Sequence, residues 1–137
     1  MTGCGAPALA RVLLVDDDPR VLRGMTVSLS RAGFEITAVD DGAPAIALAG
    51  AGFELVIVDL HMRTSGLSVI RHYKQRYGAG VYCAVLSGDD NETMRAACAA
   101  AGADDVFVKP VPGPILRGRL AEAALALRAR STNERSA

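Results

Sequence analysis

Five short apolar runs, each followed by residues at helical spacing, constrain this chain more than any other feature. Arg11 to Val15 reads as a first strand, after which Asp18-Pro19 places a good N-cap and a first-turn proline before Val21, Leu22, Met25 and Leu29. Gly33 ends that helix, and Phe34 to Val39 is a second strand followed by a short helix over about Pro44 to Leu48. Phe53 to Val58 has the unbroken apolar character of a strand covered on both faces. Leu67, Ile70 and Tyr73 mark a helix running to about Tyr77, and Val81 to Leu86 is a fourth strand. Asp89 with Glu92 resembles a capping box for a helix carrying Met94, Ala97, Cys98 and Ala101, closed by Gly102. Val106 to Val108 is the fifth strand, and Pro114 opens a last helix with Ile115, Leu116, Leu120, Ala123 and Leu127. Strands alternating with helices at this spacing imply right-handed βαβ crossovers, hence a doubly wound five-stranded parallel sheet in an α/β domain.

In such a sheet the carboxyl ends of the strands share one edge, where these folds bind and react. Asp16 and Asp17 close the first strand, Asp59 the third, and Lys109-Pro110 the fifth. Two carboxylates ~5 Å apart repel by roughly 3 kcal/mol at an effective dielectric near 20. A fold keeps three together only with a neutralising cation or a retained proton. Mg²⁺ suits the position because it accepts a few carboxylates and carbonyls while keeping sites for water and phosphate oxygens, and Mn²⁺ is a possible substitute. Lys109 then faces an arriving anion as a point charge. Ser87 supplies a hydroxyl at the same edge, and Gly88 lets a backbone N–H approach a phosphoryl oxygen. Phosphoryl transfer needs mainly positioning and charge stabilisation, so Asp59, alone on the central strand, is the natural nucleophile.

The remaining features bound the reading. A chain of 137 residues with zero formal net charge is one domain with no global pull on nucleic acid or anionic membrane. No apolar run approaches the ~18 residues of a membrane span. Cys4, Cys83 and Cys98 lack ligand spacing and read as free thiols in a reducing cytoplasm, the latter two as small core hydrophobes. Arg71, Lys74 and Arg76 read as a solvated helix face, and Asp18 as a cap alone. His61 and His72 are too isolated to suggest a metal pair; the His61 ring reads as a loop side chain facing solvent. Residues 1–10 and 129–137 are expected to be a flexible leader and tail around a domain spanning 11–128.

Val15-Asp16-Asp17-Asp18-Pro19, Val58-Asp59-Leu60-His61-Met62, Leu86-Ser87-Gly88 and Val108-Lys109-Pro110, in this order and at these intervals, resemble response regulator receiver domains. The resemblance implies a flavodoxin-like (βα)5 fold with strand order 2-1-3-4-5. It also implies Asp59 as phosphoacceptor, with Asp17 and Asp59 directly on Mg²⁺ and Asp16 acting largely through water. The His61 backbone carbonyl completes the protein's share of the metal shell, and Ser87 and Lys109 match the phosphoryl-sensing hydroxyl and lysine. The implied phosphodonor is a histidine kinase or phosphotransfer protein. The expected chain is a stand-alone, cytoplasmic monomer or weak dimer with an unknown downstream protein partner and no enzymatic role beyond its own phosphorylation and dephosphorylation. A fragment of a larger hybrid kinase is an alternative.

Two departures stand out. Arg63 takes the place of the usual proline and Gly66 arrives one residue early, which should alter metal affinity and dephosphorylation. Val106 stands where many receivers carry an aromatic, and neighbouring Phe107 points to the opposite face, so output coupling should be built differently. Two alternatives are a receiver-like docking module independent of phosphorylation and a haloacid-dehalogenase-like phosphatase using the Asp16-x-Asp18 pattern. The phosphatase would leave Asp59 without a role.

Overall fold

The structure, a computed structural model, describes residues 8–136. Strands β1 (Arg11–Val15), β2 (Glu35–Val39), β3 (Leu55–Asp59), β4 (Tyr82–Ser87) and β5 (Asp105–Val108) alternate with helices α1 (Pro19–Arg31), α2 (Gly42–Ala47), α3 (Gly66–Tyr77), α4 (Glu92–Ala101) and α5 (Gly113–Ser136). All strand pairs are parallel, in the order β2-β1-β3-β4-β5. This is the doubly wound sheet expected of the alternation.

Period-two alternation divides the core into two layers. Val12, Leu14, Leu55, Ile57, Ala84 and Leu86 meet Leu29 of α1 and Leu116, Leu120 and Ala124 of α5. Leu13, Val15, Val56, Val58, Cys83 and Val85 meet Ala45 of α2, Val69, Ile70 and Tyr73 of α3, and Met94 and Cys98 of α4. Every residue of β3 is buried, as its continuous apolar run requires. Cys83 and Cys98 are buried and free, and burial pushes the Cys83 thiol up to about 12, leaving it inert. Cys4 lies outside the described residues. Among the described residues no helix is long and apolar enough to cross a membrane.

Tyr73 is the largest fully buried side chain, and its hydroxyl donates to the Ala45 carbonyl at 2.7 Å, docking α2 on α3. Tyr73→Phe should therefore cost about 1 kcal/mol. The expected readout is a lower urea midpoint at unchanged slope; a wild-type midpoint would show that the bond contributes nothing net.

Asp18 caps α1 by accepting from the Arg20 N–H at 2.9 Å, with Pro19 in the first turn, as read from the sequence. Four expectations change. The N-cap of α4 is Asn91, whose side chain accepts from the Met94 N–H at 2.8 Å, because the helix starts at Glu92 and leaves Asp89 two residues upstream. Ile115 is 57% exposed, since the buried face of α5 follows Leu116, Leu120 and Ala124. Lys74 is not on a solvated face: its ammonium pairs with Asp104 at 2.7 Å and donates to the Val81 carbonyl at 2.6 Å.

The fourth change concerns both ends. The expected tail from 129 is instead the continuation of α5 to Ser136, since no Gly or Pro follows Gly118 and Ala, Leu and Arg propagate a helix well. Of the expected leader, residues 1–7 lie outside the described residues. Ala10 is buried, the Leu9 N–H donates to the Gly33 carbonyl at 2.9 Å, and Arg128 donates to the carbonyls of Ala8 and Leu9. Residues 8–10 therefore precede β1 as a bend held against Gly33 and α5.

Candidate functional site

Strand register builds the site. Val15 of β1 pairs with Val58 of β3, so Asp16 and Asp59 are the next residues along neighbouring strands. Asp59 in turn pairs with Leu86, and Ser87 with Val108, which brings Lys109 to the same edge. One carboxylate oxygen from each of Asp16, Asp17 and Asp59 lies within 4.8 Å of the others. Asp16 and Asp59 are buried and Asp17 is exposed, so the cluster opens to solvent on the Asp17 side.

Lys109 Nζ donates to Asp59 Oδ1 at 3.0 Å and lies 3.7 Å from Asp16 Oδ2. Burial works against its charge, but the hydrogen bond and charge of Asp59, joined by Asp16, outweigh it and hold the ammonium above its ordinary value. Asp16 Oδ1 accepts from the Asp18 N–H at 2.9 Å, which fixes the carboxylate's orientation. Asp16 Oδ2 is buried without a hydrogen-bond partner. Burial pushes the Asp16 carboxyl up; the Asp18 N–H opposes this, and the charge of Asp59 adds to it.

An orphaned, oriented carboxylate oxygen beside two further carboxylates is a donor set for a hard divalent cation. One ammonium balances only part of that charge. The residues present therefore fit Mg²⁺.

Around this centre, Ser87 is fully buried, and its Oγ accepts from the Asp89 N–H at 3.0 Å and donates to the Asp89 carbonyl at 3.1 Å. Its hydroxyl thus closes the turn after β4. A Cβ at Gly88 would meet nothing within 4 Å, so the glycine answers no demand of the protein's own packing and leaves that side of the edge open. The Lys109–Pro110 peptide is cis.

Sequence reasoning missed three contacts. The His61 ring is exposed, yet its Nε2 lies 3.2 Å from Asp89 Oδ2, spanning the mouth between the β3–α3 and β4–α4 loops. Gly66, the first residue of α3, leaves no room for a Cβ, which would run into the Asp59 carbonyl oxygen. Asp41, before α2, accepts from both the N–H and the hydroxyl of Thr64 at 3.0 and 3.2 Å. Asp41-Gly42 signals a turn, and Gly66 a changed loop spacing, but neither pattern names the residue it meets.

An open parallel sheet of order 2-1-3-4-5 with acidic strand ends and a lysine at its carboxyl edge defines the receiver class of α/β domain. The chain belongs to the response regulator receiver domain family, whose family model matches residues 12–121. It is 36% identical over 111 residues to the transcriptional regulatory protein PrrA of Mycobacterium tuberculosis, covering 80% of this chain and 46% of that protein. The chain thus spans less than half the length of the curated relatives it matches. Among solved structures it resembles a CheY-like receiver domain protein of Methanospirillum hungatei, with TM-score 0.82 and 22% identity over 90% of this chain and 99% of that one. It also resembles the response regulator TrrA of Thermotoga maritima, solved in complex with Mg²⁺ and BeF, with TM-score 0.73 and 25% identity over 83% and 98% of the two chains. Membership in this family replaces the phosphatase reading, and Asp18 of the Asp16-x-Asp18 pattern serves as the α1 cap.

Proposed function

We propose that the chain accepts a phosphoryl group on Asp59 from the phosphohistidine of a histidine kinase or phosphotransfer protein, using Mg²⁺, and thereby switches a protein-docking surface. The observation that carries this is the pairing of Asp59 with Lys109 beside the orphaned Asp16 oxygen. Asp16, Asp17 and Asp59, with the His61 carbonyl, are the residues that would hold the metal, and Mn²⁺ could substitute. The metal supplies charge compensation for the carboxylates and the incoming phosphoryl oxygens.

The chain's own residues do the rest. A carboxylate oxygen of Asp59 forms a bond to phosphorus as the phosphorus–nitrogen bond of the donor breaks, and the donor imidazole keeps the electron pair. Lys109 then exchanges its contact with the Asp59 carboxylate for one with a phosphoryl oxygen. The Gly88 N–H and the Ser87 hydroxyl donate to the other oxygens. For Ser87 this means releasing the Asp89 carbonyl, which ties the state of the site to the β4–α4 turn.

On the output side, Val106 packs with the α3–α4 layer and Phe107 with the α1–α5 layer, so a phosphoryl signal at β5 would be relayed by aliphatic packing, not by an aromatic rotamer. The partners are a phosphodonor protein and a downstream protein, and the setting is cytoplasmic.

The test is intact-protein mass after incubation with acetyl phosphate and Mg²⁺, beside Asp59→Asn and a chelated control. One phosphoryl added only when both Mg²⁺ and Asp59 are present is expected. No adduct would leave a docking module independent of phosphorylation.

A further inference from the structure

The loop Leu60–Ser65 carries His61, whose carbonyl is a proposed metal ligand, so whatever holds this loop sets the position of that oxygen. Its ends are tied to the flanking elements: the Leu60 N–H donates to the Leu86 carbonyl of β4 at 2.9 Å, and Ser65 Oγ accepts from the Leu67 N–H of α3 at 3.2 Å. Its middle contains no proline and is held from outside. Thr64, three residues from His61, gives both of its donors to the two oxygens of Asp41, which belongs to the β2–α2 turn.

Two observations mark this contact as built. Asp41 stands at the N-cap of α2 in extended backbone, and its well-formed hydrogen bonds go to Thr64 across the loops, with the Gly42 and Ala43 N–H groups of its own helix start as weaker neighbours. The next residue, Gly42, is buried, and a Cβ there would lie 2.7 Å from Thr64 Cγ2 and 2.8 Å from Thr64 Cβ. Only glycine allows the two loops to approach this closely. Hydrogen bonding, led by the Thr64 N–H, also holds the Asp41 carboxyl below its ordinary value, as for an ionised acceptor in use. Asp41 is outside the Asp16, Asp17 and Asp59 cluster, so its charge is not part of the donor set.

We infer that Asp41 is a positioning residue for the divalent-cation site: by clamping both donors of Thr64 it fixes the β3–α3 loop and the carbonyl that loop presents. The inference rests on the proposed Mg²⁺ reading. A partner that orients a ligand without touching the metal changes metal affinity about tenfold or more when removed.

The experiment is Mg²⁺ titration calorimetry on the full chain, with thermal unfolding of the metal-free proteins alongside. Asp41→Ala and Thr64→Val should each weaken Mg²⁺ binding about tenfold. The double variant should be no weaker than either single one, since both break the same contact. Asp41→Asn keeps an acceptor for the Thr64 N–H and should recover wild-type affinity, which separates geometry from charge. Asp40→Asn, an exposed neighbour, should change nothing.

If Asp41→Ala lowers metal-free stability while Mg²⁺ affinity stays at the wild-type value, Asp41 only stabilises the fold and the inference is overturned. Equal losses in Asp41→Asn and Asp40→Asn would also overturn it, in favour of a diffuse charge effect. Wild-type protein that binds no Mg²⁺ would overturn the metal reading itself, and the positioning role with it.

Discussion

Alanine at Gly66 is expected to destabilise the domain by about 3 kcal/mol and to reduce phosphorylation of Asp59. Gly66 begins α3 directly behind the site, and an added Cβ would run into the Asp59 carbonyl oxygen, 3.1 Å from Val58 Cγ2 and 3.3 Å from the Asp59 carbonyl carbon. Two of those three neighbours are backbone atoms of a fully buried central strand, so no side chain can turn aside to make room. Relief requires α3 to move off β3 or the Asp59 peptide to tilt, and either displaces the nucleophile.

Gly118 is the control. It lies on the exposed part of α5, and a Cβ there would meet nothing within 4 Å. Gly118→Ala should therefore stabilise by about 0.5–1 kcal/mol, the usual gain in a helix interior. Denaturant midpoints of the two variants decide the matter: equal shifts would mean that the contact with Asp59 is not what constrains position 66. The early arrival of this glycine thus lets α3 start in contact with the strand it follows.

The second large effect belongs to Asp16. Asp16→Asn should make the metal-free domain more stable than wild type, on the order of 1 kcal/mol near neutral pH, because a buried negative charge beside Asp59 and Asp17 is removed while the acceptor for the Asp18 N–H is kept. In saturating Mg²⁺ the order should reverse. Wild type gains about 2.7 kcal/mol at a metal concentration one hundred times Kd, and the variant, lacking one carboxylate of the donor set, should gain little.

The pH dependence follows from the direction of the shift. The Asp16 carboxyl is raised in the folded state by burial, opposed by the Asp18 N–H and reinforced by Asp59. The folded protein therefore binds a proton that the unfolded chain gives up. Metal-free wild type should gain stability as pH falls from above the raised value toward the ordinary 3.8, and Asp16→Asn should lack that gain. Asp41 has the opposite sign, since its carboxyl is lowered first by the Thr64 N–H. Its contribution is lost only at more acid pH, so the two do not overlap. Urea midpoints across this range, with and without Mg²⁺, test both statements; a flat wild-type profile would show that Asp16 is compensated in the metal-free fold.

Local patterns carried most of the architecture. The 2.0 and 3.6 residue periods of β1 to β5 and α1 to α5 depend on neighbouring residues alone, and a strand apolar on both faces, as β3 is, must lie in the middle of a parallel sheet. In a parallel sheet the carboxyl ends share one edge whatever the strand order, so Asp16, Asp59, Ser87 and Lys109 reach that edge with no further information; the order 2-1-3-4-5 itself was implied by the family resemblance.

Tertiary structure decided the contacts between loops. Asp41 and Thr64 are 23 residues apart, and His61 and Asp89 are 28 apart; each pair belongs to different loops, where no period operates. Whether such residues meet depends on where the crossover helices start and stop. Local preference did not settle those points: Asn91 competes with Asp89 as a cap, and α5 continues past Arg130 because nothing interrupts it. Strand-end chemistry is written in the chain because strands set their own direction and register. Loop geometry around that chemistry is a property of the packed sheet and helices, which alone determine how near two turns can come.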